Sequence, residues 1–288
     1  MALWLRGLMR GRGYALLSVP AVVWLALFFI APVIIVLGIS FMSRGIGGLP
    51  VLPLTLDNYS RTFNVFGGVI WQSVRFALLT TVICLLLGYP MAYFIKTRRT
   101  RWAKALALFL VILPFWTNLL IRTYAWRFLL AREGLINSVL LELGLIDAPI
   151  QILNTEFAVI LGLVYGMLPF MVLPIYASME RFDFRYIEAA QDLGAGAWAA
   201  FWRILLPMTL PGVIAGCVLV FVPSIGSYVT PDLLGGNRGL MIATLLASQL
   251  TGSGNLPQGA AISIVLLAMI VVPIAIYVWT GRKDGQRG

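Results

Sequence analysis

The sequence predicts an all-α polytopic membrane protein with six transmembrane helices. Three observations predict it. Apolar residues make up 60% of the 288-residue chain and charged residues only 11%, against about 25% charged in soluble domains. The charges cluster between long uncharged intervals. Those intervals have the length of about 20 residues that a helix needs to cross a hydrocarbon core.

The spans follow in order. Arg12 and Arg44 bracket 31 uncharged residues, which hold a predicted span at 16–41. An apolar stretch of that length exceeds the roughly 7–15 residues of a secretory signal core, so it reads as a retained anchor. Arg75 and Lys96 bracket 20 residues (span 73–95), and Lys104 and Arg122 bracket 17 (span 104–122). Glu156 and Glu180 bracket 23 (span 157–178), and Arg203 and Asp232 bracket 28 (span 208–229). The last interval, Arg238 to Arg282, opens with the polar stretch TGSGNLPQG, which leaves a span at 259–280. The run LMIATLLASQL (240–250) is too short to cross and reads as an interfacial or surface helix. The chain thus divides into an N-terminal segment 1–15, a membrane domain 16–280 that includes the loop 179–207, and a tail 281–288.

Charge sets the orientation. Six spans put both termini and the loops 96–103 and 179–207 on one side, which carries fourteen Lys and Arg. The other side carries six, with Arg75 bordering the second span. The positive-inside rule makes the first side, and both termini, cytoplasmic. The net charge of +10 is then a topology signal rather than a nucleic-acid surface.

Composition excludes several chemistries. There is no His, which removes His-based metal sites and Ser-His or Cys-His catalysis. Cys84 and Cys217 lie in apolar runs and read as buried hydrophobes. None of Lys96, Lys104 and Lys283 lies in a phosphate-cradling G-x-x-x-x-G-K-[ST] loop, so nucleotide chemistry has to come from a partner. No Asp or Glu lies inside a predicted span, which argues against a proton- or sodium-coupled carrier. Arg75 and Arg122, at span ends, read as snorkelling side chains.

Prolines at 32, 90, 114, 169, 174, 211, 223 and 273 fall in the spans. Each removes a helix hydrogen bond. Kinked helices around a shared cavity fit a transporter, although proline is in any case more frequent in membrane helices. GLVYG (162–166) and GVIAG (212–216) are small-xxx-small patterns that permit close helix contact.

One loop is not a plain linker. In EAAQDLGAGAWAAFWRILLP (188–207), Glu188, Ala189 and Ala190 favour a helix, Gly194 and Gly196 break it, and a second helix follows. Trp198, Phe201, Trp202 and Leu205 recur at helical spacing as an apolar stripe. Such a surface suits either a docking site for a partner or a helix lying on the membrane.

The spacing Glu188-Ala189-Ala190, Gly194, Ile204, Leu206-Pro207 resembles the EAA loop of permease subunits of binding-protein-dependent ABC importers, the MetI-like membrane domains. TLDNYSRTF (55–63), LGYPMAYF (87–94), LPFWTNLLIRTYAW (113–126), IDAPIQILNT (146–155), GLVYGMLPFMVLPIY (162–176) and PGVIAGCVLVFVPSIGSYVTPDLLGG (211–236) are similar to the B-type subunit of spermidine/putrescine permeases. The resemblance implies the type I ABC importer permease fold. It also implies partners: a second permease, an ABC ATPase pair holding ATP and Mg, and an extracytoplasmic binding protein. No cofactor is implied on this chain, and no enzyme activity. In that reading Glu188 makes polar contact with the ATPase, Gly194 supplies a turn of positive φ, and Pro207 ends the coupling segment or sits in the first turn of the fifth span.

A polyamine substrate favours aromatic faces and isolated acids, with about 0.5–2 kcal/mol for each cation–π contact. Candidates along a pathway are Trp116, Asn118, Tyr124, Tyr165, Ser224, Tyr228 and Asp232; Trp116 and Tyr124 fit an interfacial aromatic belt equally well. The outer loops 43–68, 124–156 and 230–258 are where a binding protein docks, with Asn137 expected to cap a short helix there. Other readings are an importer of a different small solute, a stand-alone carrier or channel, and a structural membrane subunit.

Overall fold

A computed structural model describes residues 19–252 and 254–284. The expected segment 1–15, residues 16–18 of the first expected span and residues 285–288 of the tail lie outside them. Every regular element among the described residues is helical except one two-stranded hairpin.

Helix α1 (Val19–Ser40) is apolar all round and mostly exposed up to its buried last residue, Ser40, as suits a helix surrounded by lipid. A π turn at Ala26–Ile30 directly precedes Pro32; the Ala31 N–H reaches back to the Ala26 carbonyl. The wider turn makes room for a ring that would otherwise press on a carbonyl one turn back.

The chain separates into two compact units. The first holds the residues up to Val65 together with Leu246–Val265. The stretch expected as an outer loop at 43–68 is folded in it. Strands β1 (Met42–Arg44) and β2 (Pro50–Leu54) pair antiparallel, and helix α2 (Asp57–Asn64) follows. Asn58 is buried and donates to the carbonyls of Ser40 (3.0 Å) and Met42 (2.8 Å). Gln258 donates in turn to the Asn58 carbonyl (3.1 Å) and to Thr62 Oγ1 (2.8 Å). These bonds satisfy polar groups that would be costly to bury unpaired.

The second unit holds Phe66–Leu245 and the residues after 265. Its helices are α3 (Gly67–Thr97), α4 (Arg101–Ile112, extended by a 3-10 turn at Leu113–Trp116), α5 (Leu119–Leu130), α6 (Leu135–Glu142), α7 (Glu156–Glu180), α8 (Arg185–Asp192), α9 (Ala197–Ile225) and α10 (Val229–Gly235). Two further helices, α11 (Ile242–Gly252) and α12 (Leu256–Asp284), are divided between the units.

The core of the second unit lies where α3, α7 and α9 pack. Cys84 and Ala92 of α3, Met171, Ile175 and Met179 of α7, and Val220 of α9 are fully buried. Glycines set the spacing. A Cβ at Gly212 would stand 2.6 Å from the Pro174 carbonyl oxygen, and one at Gly216 would stand 2.8 Å from Met171 Sδ. The GVIAG pattern therefore presses backbone on backbone. In GLVYG, Gly162 meets Thr230 and Leu234 of α10, whereas nothing lies within 4 Å of a Cβ at Gly166.

Among the described residues, α1, α3, α7, α9 and α12 are each long and apolar enough to cross a bilayer. The expected continuous span 104–122 is interrupted: Arg101–Trp116 and Leu119–Glu142 meet at 92° and make the sixth crossing only if taken together. Local chemistry explains the break. Thr117 and Asn118 are extended, Thr117 Oγ1 donates to the Pro114 carbonyl (2.8 Å), and Asn118 Oδ1 accepts from the Leu120 N–H (2.8 Å), which starts a new helix.

Two further expectations need correction. Asn137 does not cap its helix, which begins at Leu135 after Gly134; it is buried within it. Its side chain donates to the carbonyls of Ala131, Arg132 and Ile150 and accepts from the Ile150 N–H (3.0 Å). The segment 240–250 is not simply a surface helix. Residues 241–245 are buried, and the Ile242 N–H donates to Ser73 Oγ of α3 (2.8 Å).

Candidate functional site

The loop 179–207 builds a small capped projection. Asp183 Oδ1 accepts from the Arg185 N–H (3.0 Å) and starts α8, with Glu188 exposed in its first turn. The helix ends in a Schellman pair of bonds: Gly194 N–H to the Gln191 carbonyl and Ala195 N–H to the Ala190 carbonyl, both 2.9 Å. Gly194 has φ +88° with open space around a Cβ, so the backbone conformation itself calls for glycine.

The aromatic side chains divide the projection into an anchor and a free face. Phe182 is buried against Phe184, whose ring meets Tyr93 of α3 at 6.0 Å. Phe201 meets Tyr89 edge-on at 5.5 Å, and the Tyr89 hydroxyl shares a 3.0 Å hydrogen bond with Thr209. Leu205 is buried. A cavity of about 330 Å³ lies behind, between Tyr89, Tyr93, Ile187, Gln191, Phe201 and Leu205. The free face carries Glu188, Ala189, Leu193 (90% exposed), Trp198 (73%) and Trp202.

The expected stripe Trp198-Phe201-Trp202-Leu205 is thus split. Phe201 and Leu205 turn inward while Trp198 and Trp202 remain outside. A π turn at Phe201–Leu205, closed by the Leu206 N–H on the Phe201 carbonyl, shifts the register of the stripe beyond Phe201, while the rings of Trp198, Phe201 and Trp202 stay in mutual contact. Pro207 does not end the segment. It is the second residue of the α turn that follows, and α9 runs through it. Ile204 and Leu206 are half-buried beneath it.

The pathway candidates do not form one cluster. Tyr165 of α7 is half-buried and meets Trp126 at 5.4 Å. Arg122 lies over its face at 5.7 Å and over Phe115 at 5.9 Å, and donates to the Pro114 carbonyl (2.9 Å). Arg122 is therefore a strut across the bend. An Arg inside an apolar run was the signal in the sequence; its target, a carbonyl eight residues back, was not. Trp116 is exposed against Phe109 (5.7 Å), Asn118 caps α5, and Tyr124 is exposed on α5. Ser224 Oγ is buried near the end of α9 with no hydrogen-bond partner among the described residues. Tyr228 and Asp232 are exposed at the start of α10, where the Asp232 N–H donates to the Tyr228 carbonyl (3.1 Å). Arg75 pairs with Glu156, which ties the N-terminal part of α3 to the first turn of α7.

Apolar helices of membrane length, several with proline inside them, and an exposed, capped projection define a polytopic membrane protein. The chain belongs to the family of binding-protein-dependent transport system inner membrane components, whose model matches residues 85–283. It is 44% identical over 255 residues to the spermidine/putrescine transport system permease protein PotB of Haemophilus influenzae, covering 88% of this chain and 89% of that one. It is 43% identical over 266 residues to PotB of Escherichia coli K12, covering 92% and 96%. Its fold matches a chain of the bacterial alginate ABC transporter, crystallised with a pentasaccharide-bound periplasmic protein, at a TM-score of 0.72 and 19% identity over 97% of both chains. The protein is a multi-pass transport subunit of the inner membrane rather than an enzyme.

Proposed function

We propose that this chain is a permease subunit of an ATP-driven polyamine importer, with both termini cytoplasmic and residues 16–280 forming its membrane domain. It works with a second permease, two ATPase subunits that hold ATP and Mg, and an extracytoplasmic binding protein. The observation that carries the substrate class is identity of 43–44%, over nearly the full length, to two permeases named for spermidine and putrescine.

Mechanically, ATP-driven closure of the ATPase pair moves the projection around Gly194, and the spans follow. The anchor Phe182, Phe201 and Leu205 makes this transmission physically reasonable, because buried side chains tie the projection to α3 and α9. Glu188 supplies polar contact; Ala189 and Ala190 permit close approach; Ile204, Leu206 and Pro207 join the projection to the fifth span. Each ligand state biases a two-state element. Trp116, Asn118, Tyr124, Tyr165, Ser224, Tyr228 and Asp232 are the pathway residues in this reading.

The test is uptake by the reconstituted complex. Labelled spermidine or putrescine enters only with ATP and with the binding protein present, and polyamine-loaded binding protein stimulates ATP hydrolysis. Stimulation by a different solute and none by polyamines overturns the substrate class while leaving the permease assignment in place.

A further inference from the structure

A second cavity, of about 530 Å³, lies between α3, α4 and α7. Pro90 and Phe94 line it from α3, Ala107 and Leu110 from α4, Pro114 from the 3-10 turn, and Tyr165 from α7. All its lining side chains except Tyr165 are apolar. No lining residue is acidic, so it does not suit a polycation. Phe94 and Leu110 are both exposed, so the cavity opens on the surface of the helices, where an acyl chain can enter it.

The chemistry at one end of the cavity is different. The α3–α4 connection and the first turn of α4 carry Arg98, Arg99, Arg101 and Lys104 within seven residues. The Arg98 guanidinium sits 3.7 Å over the ring of Phe94, so a cation stands directly on the cavity wall. Lys96 is engaged by Glu180, through its carbonyl (3.1 Å) and its carboxylate (3.6 Å). Arg98, Arg99 and Arg101 are exposed and have no carboxylate partner among the described residues. Trp102 beside them is 78% exposed, as is usual for a ring at headgroup depth.

An apolar slot with exposed guanidinium groups beside it, none held by a carboxylate among the described residues, complements one class of molecule: an amphiphile with a hydrocarbon tail and an anionic head. We propose that this cavity binds an acyl chain of an anionic phospholipid, whose phosphate is held by Arg98, Arg99 and Arg101. Basic residues at such a boundary attract anionic headgroups, and the cavity adds a seat for the tail that an exposed basic loop lacks. The inference does not depend on which solute the complex carries.

The test is native mass spectrometry of the transporter containing this chain, purified and offered phosphatidylglycerol or phosphatidylcholine. The wild-type complex is expected to retain phosphatidylglycerol about tenfold or more over phosphatidylcholine. The triple variant Arg98→Gln/Arg99→Gln/Arg101→Gln loses that preference. Ala107→Phe, which fills the cavity and leaves the loop charges in place, loses retention as well. If Ala107→Phe does not reach the membrane, Leu110→Trp, one turn further along α4, fills the same space. Equal retention of the two lipids overturns the proposal. So does unchanged retention in the cavity-filling variants, which would reduce the effect to charge on the loop.

Discussion

The projection at 181–207 and the bend at 113–156 both interrupt runs of apolar helix, and they do so by different means. The projection is built from neighbours in sequence: Asp183 caps the start of α8, Gly194 takes positive φ at its end, and both closing bonds span five residues or fewer. The bend starts locally at Thr117 and Asn118, but it is braced by side chains that reach further along the chain. Arg122 returns to the Pro114 carbonyl, and Asn137 bridges Arg132 and Ile150. A locally coded element can present itself to a partner and keep its shape. One held by distant bonds is a structural joint whose failure loosens what it joins.

The largest expected effect is therefore in the bend. Asn137→Ala removes a side-chain partner from the part-buried carbonyls of Ala131, Arg132 and Ile150 and from the Ile150 N–H and is expected to destabilise the 131–150 segment by roughly 2–3 kcal/mol. Hydrogen exchange at the Ile150 amide, fast in the variant and protected in wild type, measures it. Full protection in the variant would mean that the joint does not depend on that side chain.

Arg122→Gln comes next, at about 1–2 kcal/mol for the carbonyl bond and two aromatic faces together. Spin-label distances between α4 and α5 are expected to broaden around the 92° bend. A distribution as narrow as wild type would show that Pro114, Thr117 and Asn118 fix the angle unaided.

The same contrast explains what was legible in the sequence. Charge-free intervals marked the apolar helices, and Gly194 with its flanking alanines marked the turn, because hydropathy and backbone conformation are local properties. The break at 117–118 was missed because Pro114 and Asn118 fell inside an apolar run that hid a helix start. The split of the Trp198 stripe was missed because an α-helical wheel does not anticipate a π turn, although Pro207 beyond it was a signal; Pro32 follows a π turn in the same way. Asn137 read as a cap because its bonding partners lie outside any local window. The lining of the 530 Å³ cavity joins the neighbouring helices α3 and α4 to α7, some fifty residues further on, and no spacing rule brings them together.

In the projection the expected effects on stability are smaller and those on transport larger. Gly194→Ala costs about 1 kcal/mol of backbone strain, with little change in thermal stability and a marked fall in uptake; Gly194→Asn, which tolerates positive φ better, recovers part of it. Glu188→Gln is expected to leave folding unchanged, since the side chain is exposed, and to weaken ATPase co-purification. Normal uptake and co-purification in both Gly194→Ala and Glu188→Gln would remove the basis for assigning coupling to this loop.

The most direct measurement uses Leu193, whose side chain is 90% exposed at the tip of the projection. In Leu193→Cys, a short bifunctional reagent is expected to cross-link the projection to the ATPase in the assembled transporter, with a yield that changes on nucleotide binding. If that position forms no cross-link to the ATPase in the intact assembly and stays open to a water-soluble maleimide with and without nucleotide, the projection does not carry the motor's motion into the membrane.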